Sequence, residues 1–371
     1  MSMQTIKKIT ALLTALVLSL TLAVPSFAVP GSQEDPAVSV SYLEQVWAKK
    51  LMADCEARMK RQLSAAYADS LSKLSQKLAE QNRVSFAAGG KRRAQGSVVL
   101  KQGDRLLPDP GCKLMLYDGA LTAEPTLIDV TEAIPAGDSL TARHLYMQGA
   151  EASQGLTVQS AAAELWMDGV YSVAPSEGTD FGALAQALEK MGLFRGMTEG
   201  YGLLSTTTRA QGLTMFLRLM GLEKEALACK QTIPFTDVPA GHWAHPYVAY
   251  AYTNGLTNGT AADKFSPDAP VTAQHYITFL LRAQHYAEGT DFTYETALSS
   301  AVEKGVFAQN EVDSFPGGLT RCGLVYLSYY GLFGRDAQTG CTVLESLLNS
   351  GAVTEQSVAE AFLTVRSPRR T

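Results

Sequence analysis

Residues 235–283 read FTDVPAGHWAHPYVAYAYTNGLTNGTAADKFSPDAPVTAQHYITFLLRA, and this stretch decides the fold of the C-terminal half of the chain. A short helix is predicted to begin near Trp243 and to stop at Gly255, because glycine readily adopts the positive φ that ends a helix. Gly259 permits a second reversal, and the hydroxyl of Thr272 is placed to cap a second apolar helix. Two short helices cannot bury their shared apolar face alone, so further copies are expected.

Two degenerate copies of this pattern flank the stretch. In all three, an apolar helix ends at a glycine, and a threonine opens the next helix. The separations between that glycine and that threonine are 16, 17 and 15 residues, from Gly192 to Thr208, Gly255 to Thr272 and Gly305 to Thr320. The spacing predicts three helical repeats, at about 178–222, 235–284 and 291–334, which together span 178–335.

The second copy resembles an S-layer homology repeat, the unit by which many exported bacterial proteins hold cell-wall polysaccharide. The resemblance rests on separated elements in the right order, namely Phe235, Asp237, Trp243, Gly255, Gly259, Phe265, Pro267 and Thr272. It implies an all-α C-terminal domain in which three repeats form a pseudo-threefold arrangement with grooves between neighbours.

The resemblance also implies a binding site. In the family, each groove is lined by the arginine of a Thr-Arg-Ala-Glu motif, which contacts an acidic, typically pyruvylated, sugar of the secondary cell-wall polysaccharide. Arg209 and Arg321 match that arginine, whereas the second repeat has Ala273. A guanidinium at a helix N-terminus offers a carboxylate two donors and a positive dipole end. The implied polysaccharide-binding residues are Arg209, Arg321, Thr208, Thr320 and Gln211, and the implied partner is the secondary cell-wall polysaccharide or a peptidoglycan-linked glycan.

The motif's glutamate is missing from all three repeats, which carry Gln211, His275 and Gly323 at that position. At most two grooves therefore keep their arginine, and none keeps its acid. From this we expect repeats one and three to bind, and repeat two mainly to hold the fold.

The N-terminus has the features of a secretory signal. Lys7 and Lys8 precede the uncharged run Ile9–Val24, and small residues lead to Ala28. This pattern predicts a signal peptide over 1–28, cleaved after Ala28. The apolar run is shorter than the roughly 20 residues that span a bilayer; an uncleaved membrane anchor is the alternative.

Composition argues against several function classes. The 371 residues include 31 basic and 36 acidic ones, a net charge of −5. Removal of the signal leaves 29 against 36, or −7, which gives no reason to expect nucleic acid as a partner. The five cysteines form no CxxC pair, so no structural zinc site is predicted. They are either buried free thiols or contribute a disulfide that the sequence cannot assign.

An amphipathic helix is predicted over 36–88, because apolar residues recur every three or four positions from Leu43 to Leu78. Its basic side chains are interpreted as a solvated face, with contact to anionic wall polymer or lipid headgroups as the alternative. Self-association through this helix is a further candidate role.

Short strand-like runs separated by Gly, Pro and Asp predict a small antiparallel β domain over 96–173, as a sandwich or barrel. It could bind a ligand or act as a spacer. Residues 336–371 are predicted to form two capping helices and a frayed basic tail, 366–371.

No catalytic motif, metal set or cofactor fingerprint is found in the sequence. The cluster His242-Trp243-Ala244-His245 is interpreted as helix-start packing rather than a metal site. The sequence thus predicts a multi-domain α plus β protein that is secreted, non-enzymatic and held at the cell wall or surface layer. The alternatives are an exported wall- or glycan-processing enzyme with the β domain as catalytic unit, and a self-assembling surface-layer component.

Overall fold

The computed structural model describes residues 47–88, 90–132, 134–135, 138–198, 200–367 and 369. The chain divides into two compact units, Met1–Lys60 and Arg61–Thr371. The predicted signal peptide, and residues 36–46 of the predicted helix, lie outside the described residues.

The first helix, α1, spans Ala48–Ala88. Its described part in the first unit exposes large apolar side chains, among them Leu51 and Met52. In the second unit, Leu71, Leu78 and Ala79 pack against the helical core. The predicted apolar stripe is therefore buried only toward its C-terminal end. Within the described part of the chain, no helix has both the length and the apolar character needed to cross a membrane.

A single antiparallel sheet follows α1. Its longest strand, β8, pairs with β1 along one side and with β3 and β2 along the other. Short strands therefore lie in the region where the sequence predicted short strand-like runs. The described strands thus form one eight-stranded sheet rather than two facing sheets. They are β1 Arg92–Lys101, β2 Arg105–Pro108, β3 Lys113–Asp118, β4 Leu127–Asp129, β5 Ile134–Pro135, β6 Leu145–Gln148, β7 Leu156–Thr157 and β8 Ala162–Ala174.

The remaining elements are helices. Each predicted repeat contributes a first and a second helix: α2 and α3, α5 and α6, α7 and α9. The bounds are α2 Phe181–Lys190, α3 Arg209–Leu219, α4 Glu223–Ala228, α5 His245–Thr253, α6 Ala273–Ala283, α7 Ala297–Glu303, α8 Gln309–Asp313, α9 Arg321–Gly331, α10 Val343–Ser350 and α11 Glu355–Phe362.

Threonine caps begin two of the second helices, as the sequence predicted. The hydroxyls of Thr208 and Thr272 accept the backbone N–H three residues later. Thr320 makes no such bond at the start of α9. Gly255 follows the end of α5 with φ of 69°, which confirms its predicted place as a helix terminator.

The three second helices pack against one another in pairs. The residue before the threonine that opens each second helix joins a closed ring of backbone hydrogen bonds. Thr207 N–H donates to Leu319 O at 2.9 Å, Leu319 N–H to Val271 O at 2.7 Å, and Val271 N–H to Thr207 O at 2.9 Å. Segments distant in sequence thus meet at one centre, from which α3, α6 and α9 begin.

The predicted frayed tail is wrong for the residues that the structure describes. Ser367 is buried, and its hydroxyl accepts the N–H of Asp180 at 2.9 Å. Arg369 makes an ion pair with the buried Glu311 at 2.7 Å. A buried carboxylate needs a charge partner, and this one, 58 residues upstream, holds the tail in place. Pro368, Arg370 and Thr371 lie outside the described residues.

None of the five cysteines forms a disulfide: Cys112, Cys322 and Cys341 are buried thiols, whereas Cys55 is exposed and Cys229 is partly so.

Candidate functional site

The predicted arginines contact the turn that precedes the second helix of another repeat. We call this turn the elbow of its repeat. The Nε of Arg321 donates to Tyr201 O at 2.6 Å, and that of Arg209 donates to Phe265 O at 3.0 Å. Tyr201 and Phe265 each stand seven residues before a capping threonine, so the two contacts are equivalent. Arg321 of repeat three thus reaches repeat one, and Arg209 of repeat one reaches repeat two.

The first groove lies beside the elbow of repeat one. It is a cavity of about 150 Å³ that contains Arg321 and Gln211, two of the predicted site residues, together with Trp243 from repeat two. Trp243 is 53% exposed, which is unusual for so large an apolar ring. The side chains that line the cavity are Phe194, Arg195, Gln211, Thr214, Met215, Arg218, Trp243, Arg321 and Leu324.

The guanidinium of Arg321 is fixed in this cavity. Besides its bond to Tyr201 O, its Nη2 donates to Arg195 O at 2.9 Å, and its guanidinium carbon lies 4.7 Å from the ring centre of Phe194. These two bonds use two of the five N–H donors of an arginine. The planar group is therefore held rigidly, which lowers the entropic cost of ordering this side chain when an anion binds.

Positive charge is in excess at the first groove. Arg218 forms a two-point ion pair with Glu223, at 3.1 and 2.6 Å, and Arg195 contacts the same carboxylate at 3.1 Å. The hydrogen bond from Arg218 is the main reason that the pKa of Glu223 is lowered. The charge of the buried Glu164, on β8, acts on Arg321, the third arginine that lines the cavity. Three guanidinium groups thus face two carboxylates, which leaves an excess of one positive charge.

The second groove is the equivalent place beside the elbow of repeat two, and its arginine is enclosed. Arg209 is 3% exposed, and its guanidinium carbon lies 5.0 Å from the ring centre of Phe265. Burial lowers its pKa. The other arginine of this groove, Arg282, pairs with Glu288 at 2.6 Å. Arg209 is therefore shielded from a ligand, and the charge of Arg282 is balanced by Glu288.

His275 occupies the place of the motif's glutamate in the second repeat. Its Nδ1 lies 2.9 Å from the hydroxyl of Thr272 and takes part in the cap of α6. Burial, together with the charge of Arg209, lowers its pKa to about 4. The imidazole is therefore neutral at pH 7 and adds no charge to the groove. Gln211 makes the equivalent cap with Thr208 in the first repeat, so both residues perform the capping part of the missing acid's role.

The third groove is the equivalent place beside Phe307 of repeat three, and Arg369 from the tail occupies it. At its helix start stands Ala273, which is 4% exposed. Arg369, from the tail, lies over the rings of Phe307 and Tyr330, at 5.9 and 5.1 Å from their centres. Both of its bonds to Glu311 are 2.7 Å long. The charges of Arg369 and Glu311 cancel each other.

The motif residues of the second repeat hold its elbow. The carboxylate of Asp237 accepts the N–H groups of Phe265 and Ser266, at 3.0 and 2.8 Å. Phe235 is buried, and a Cβ at Gly259 would meet its ring. Pro267 O accepts the N–H of Ala210 at 3.0 Å, which joins repeats one and two.

Other candidate sites are less persuasive. A larger cavity of about 430 Å³ lies between the sheet and α2, but its lining pairs the cations Arg92 and Arg366 with the acids Asp180 and Glu189. It therefore has no net preference for an anion. Among the described residues, no group of three or more His, Cys, Asp or Glu side chains could hold a metal ion. The Nδ1 of His242 accepts the N–H of Ala244 at 3.1 Å, at the start of α5.

Sequence reasoning missed Arg195, Arg218 and Glu223 of the first groove. One signal was available: Arg218 and Arg282 both stand ten residues after a capping threonine. The aromatic Trp243 was assigned to the repeat's framework, and its exposure could not be read from the pattern.

Residues 234–272 match the S-layer homology domain family. Over 130 residues the chain is 31% identical to the middle cell wall protein of Brevibacillus brevis, and the aligned region covers 35% of this chain and 12% of that protein. It is 36% identical over 84 residues to a cell surface protein of Thermoanaerobacter kivui, 22% of this chain and 11% of that one. A cellulosome-anchoring protein of Acetivibrio thermocellus is 28% identical over 88 residues, which make up 23% of this chain and 20% of that protein.

The chain therefore contains an S-layer homology domain, and the match together with the names of these relatives supports a protein of the cell surface. The chain spans only about a tenth to a fifth of the length of these relatives.

Proposed function

We propose that this protein is a non-enzymatic anchor that binds an acidic, pyruvylated cell-wall polysaccharide through the first groove. The observation that carries the proposal is the excess of positive charge around a cavity that is lined by three arginines and also contains the exposed ring of Trp243. A carboxylate on a sugar would meet the fixed guanidinium of Arg321. The apolar face of the sugar would lie on the tryptophan.

We further propose that the three repeats form a pseudo-threefold domain. Support comes from the ring of hydrogen bonds through Thr207, Val271 and Leu319, and from the equivalent contacts of Arg209 and Arg321. Under this arrangement the grooves are not equal. The first binds the sugar acid, Arg209 supports the second from inside, and the third is closed by Arg369. Secretion through the predicted signal peptide would bring the domain to the wall.

The test is binding of the purified full chain to sacculi of the producing organism, compared with sacculi from which secondary polysaccharide has been removed with acid. Arg195→Ala removes a groove cation whose side chain is 69% exposed, so the fold should tolerate the change. We expect about tenfold weaker binding, since a hydrogen bond to a charged group contributes roughly 1.5–3 kcal/mol. Arg321→Ala should weaken binding at least as much.

Lys190→Ala is the matched control, because Lys190 is an exposed cation of the same repeat outside the groove. Unchanged binding in both arginine variants would contradict the groove assignment. Equal binding to intact and stripped sacculi would contradict the polysaccharide as partner.

Self-association through α1 is a second proposal, favoured by the apolar side chains that this helix exposes. Leu63 is 73% exposed, and Tyr67 is 44% exposed one turn after it. Light scattering should give a larger mass for the full chain than for a Leu63→Glu, Tyr67→Glu variant. Equal masses would contradict the proposal.

A further inference from the structure

The elbows of repeats one and two are held in the same way by carboxylates of different origin. In repeat two the carboxylate belongs to Asp237 of the repeat itself. In repeat one it belongs to Glu164, which lies on strand β8 of the sheet. Its Oε2 accepts the N–H of Tyr201 at 2.7 Å, and its Oε1 accepts that of Leu203 at 2.9 Å.

The first bond in each pair is made by the equivalent residue. Tyr201 and Phe265 both stand seven residues before the capping threonine, and the carbonyl of each receives the Nε of a helix-start arginine. In each elbow, the carboxylate thus accepts the N–H of one residue, Tyr201 or Phe265, and the carbonyl of that same residue orients the arginine. For the first groove, that arginine is Arg321.

The surroundings of Glu164 fit this role. It is 1% exposed, and a buried carboxylate is costly unless its oxygens are hydrogen-bonded. Both oxygens are used by the elbow. Gly200, with φ of 72°, permits the approach, because a Cβ there would collide with the carboxylate. Burial lowers the pKa of Arg321, and the negative charge of Glu164 opposes that effect.

We infer that Glu164 is a positioning residue for the first groove, through which the β-sheet supplies the carboxylate that repeat two supplies for itself. This inference rests on the proposed function of that groove. It assigns the β domain a role in recognition as a structural part of the first repeat. The isolated repeats, residues 178–335, would lack this support.

The test is a double-mutant cycle in the full chain, with binding to wall sacculi as the readout. Glu164→Gln leaves one acceptor and turns a donor toward the elbow, so binding should weaken about fivefold to tenfold. If Glu164 acts through Arg321, adding Glu164→Gln to Arg321→Ala should cause little further loss. Combined with Trp243→Ala, which removes the exposed ring from the same groove without touching the elbow, the two losses should add. Additive losses in both cycles would overturn the inference.

A second measurement does not depend on binding. In Glu164→Gln, the amides of Tyr201 and Leu203 should exchange with solvent at least tenfold faster, while those of Phe265 and Ser266 keep their rates. Asp237→Asn should produce the reverse pattern. If Glu164→Gln does not fold, Glu164→Asp, which is one methylene shorter, should accelerate the same two amides. Unchanged exchange at Tyr201 and Leu203 would overturn the inference, whereas faster exchange with unchanged wall binding in Arg321→Ala would overturn only the proposed function of the groove.

Discussion

The first and third grooves are built from equivalent positions, yet they present very different surfaces. Phe194 and Phe307 both stand two residues after the first glycine of their repeats, and each lies beneath an arginine. In the first groove that arginine is Arg321, beside an exposed tryptophan and surplus positive charge. In the third it is Arg369, which is neutralised by the buried Glu311.

The difference shows that a basic group over an aromatic ring can serve either recognition or closure. What distinguishes the two is the local balance of charge and exposure. A groove whose cations outnumber its acids can accept an anion, whereas a groove with a matched, buried pair cannot. The second groove is intermediate, because Arg209 is enclosed and Arg282 is paired.

The largest expected effect comes from Arg369→Ala, which breaks the closure of the third groove. We expect the free energy of unfolding to fall by about 3 kcal/mol, because the buried carboxylate of Glu311 loses its charge partner. Urea unfolding of the full chain measures this. Lys224→Ala, an exposed cation, should change the value by less than about 0.5 kcal/mol. A similar small loss in Arg369→Ala would mean that the tail does not hold the groove closed.

Trp243→Ala, in the first groove, should weaken binding and leave the stability of the fold unchanged. We expect about thirtyfold weaker binding to wall sacculi, since a tryptophan that dominates a binding site often contributes 2 kcal/mol or more, and little change in unfolding. Leu227→Ala removes a side chain of similar exposure, 56%, from α4 and should leave binding unchanged. Strong binding by Trp243→Ala would remove the ring from the recognition surface.

Salt should separate the two grooves further. Raising ionic strength from about 0.05 to 0.5 M should weaken wall binding several-fold, because exposed charges are screened beyond a few ångströms at that concentration. The stability difference between the wild type and Arg369→Ala should stay within about 0.5 kcal/mol, because buried pairs are screened much less. Salt-independent binding would indicate recognition without charge.

The effect that is smallest at neutral pH concerns the second groove, because His275 changes its charge only in acid. The folded-state pKa of His275, about 4, lies below its ordinary value of 6.5, so the unfolded chain binds the proton more readily. Stability from this group is complete above pH 6.5 and declines as the pH falls toward 4. His275→Gln, which keeps a capping acceptor, should flatten that part of the pH–stability curve. An unchanged slope would show that His275 is not the group responsible.

The repeat pattern and its caps could be predicted because they depend on local rules. Glycines that need positive φ and threonines that cap helices are set by neighbouring residues, and Gly255, Thr208 and Thr272 follow those rules. The three remain recognisable even where the rest of the repeat has diverged.

The groove contents could not be predicted, because they depend on residues brought from far along the chain. Glu164 acts 37 residues before Tyr201, and Arg369 acts 58 residues after Glu311. Nor does the motif position of Arg209 indicate that its side chain is 3% exposed. Burial follows from how neighbouring repeats close on each other, which sequence spacing does not encode.

The hydrogen-bond ring through Thr207, Val271 and Leu319 has a consequence for how this half of the molecule comes into being. Open arrays of repeats can lengthen one unit at a time, because each unit contacts only its neighbours. Here each repeat contributes a residue that takes part in two of the three hydrogen bonds, so deletion of any one repeat breaks two of them. The helical half should therefore assemble in an all-or-none step, after the third repeat has left the ribosome.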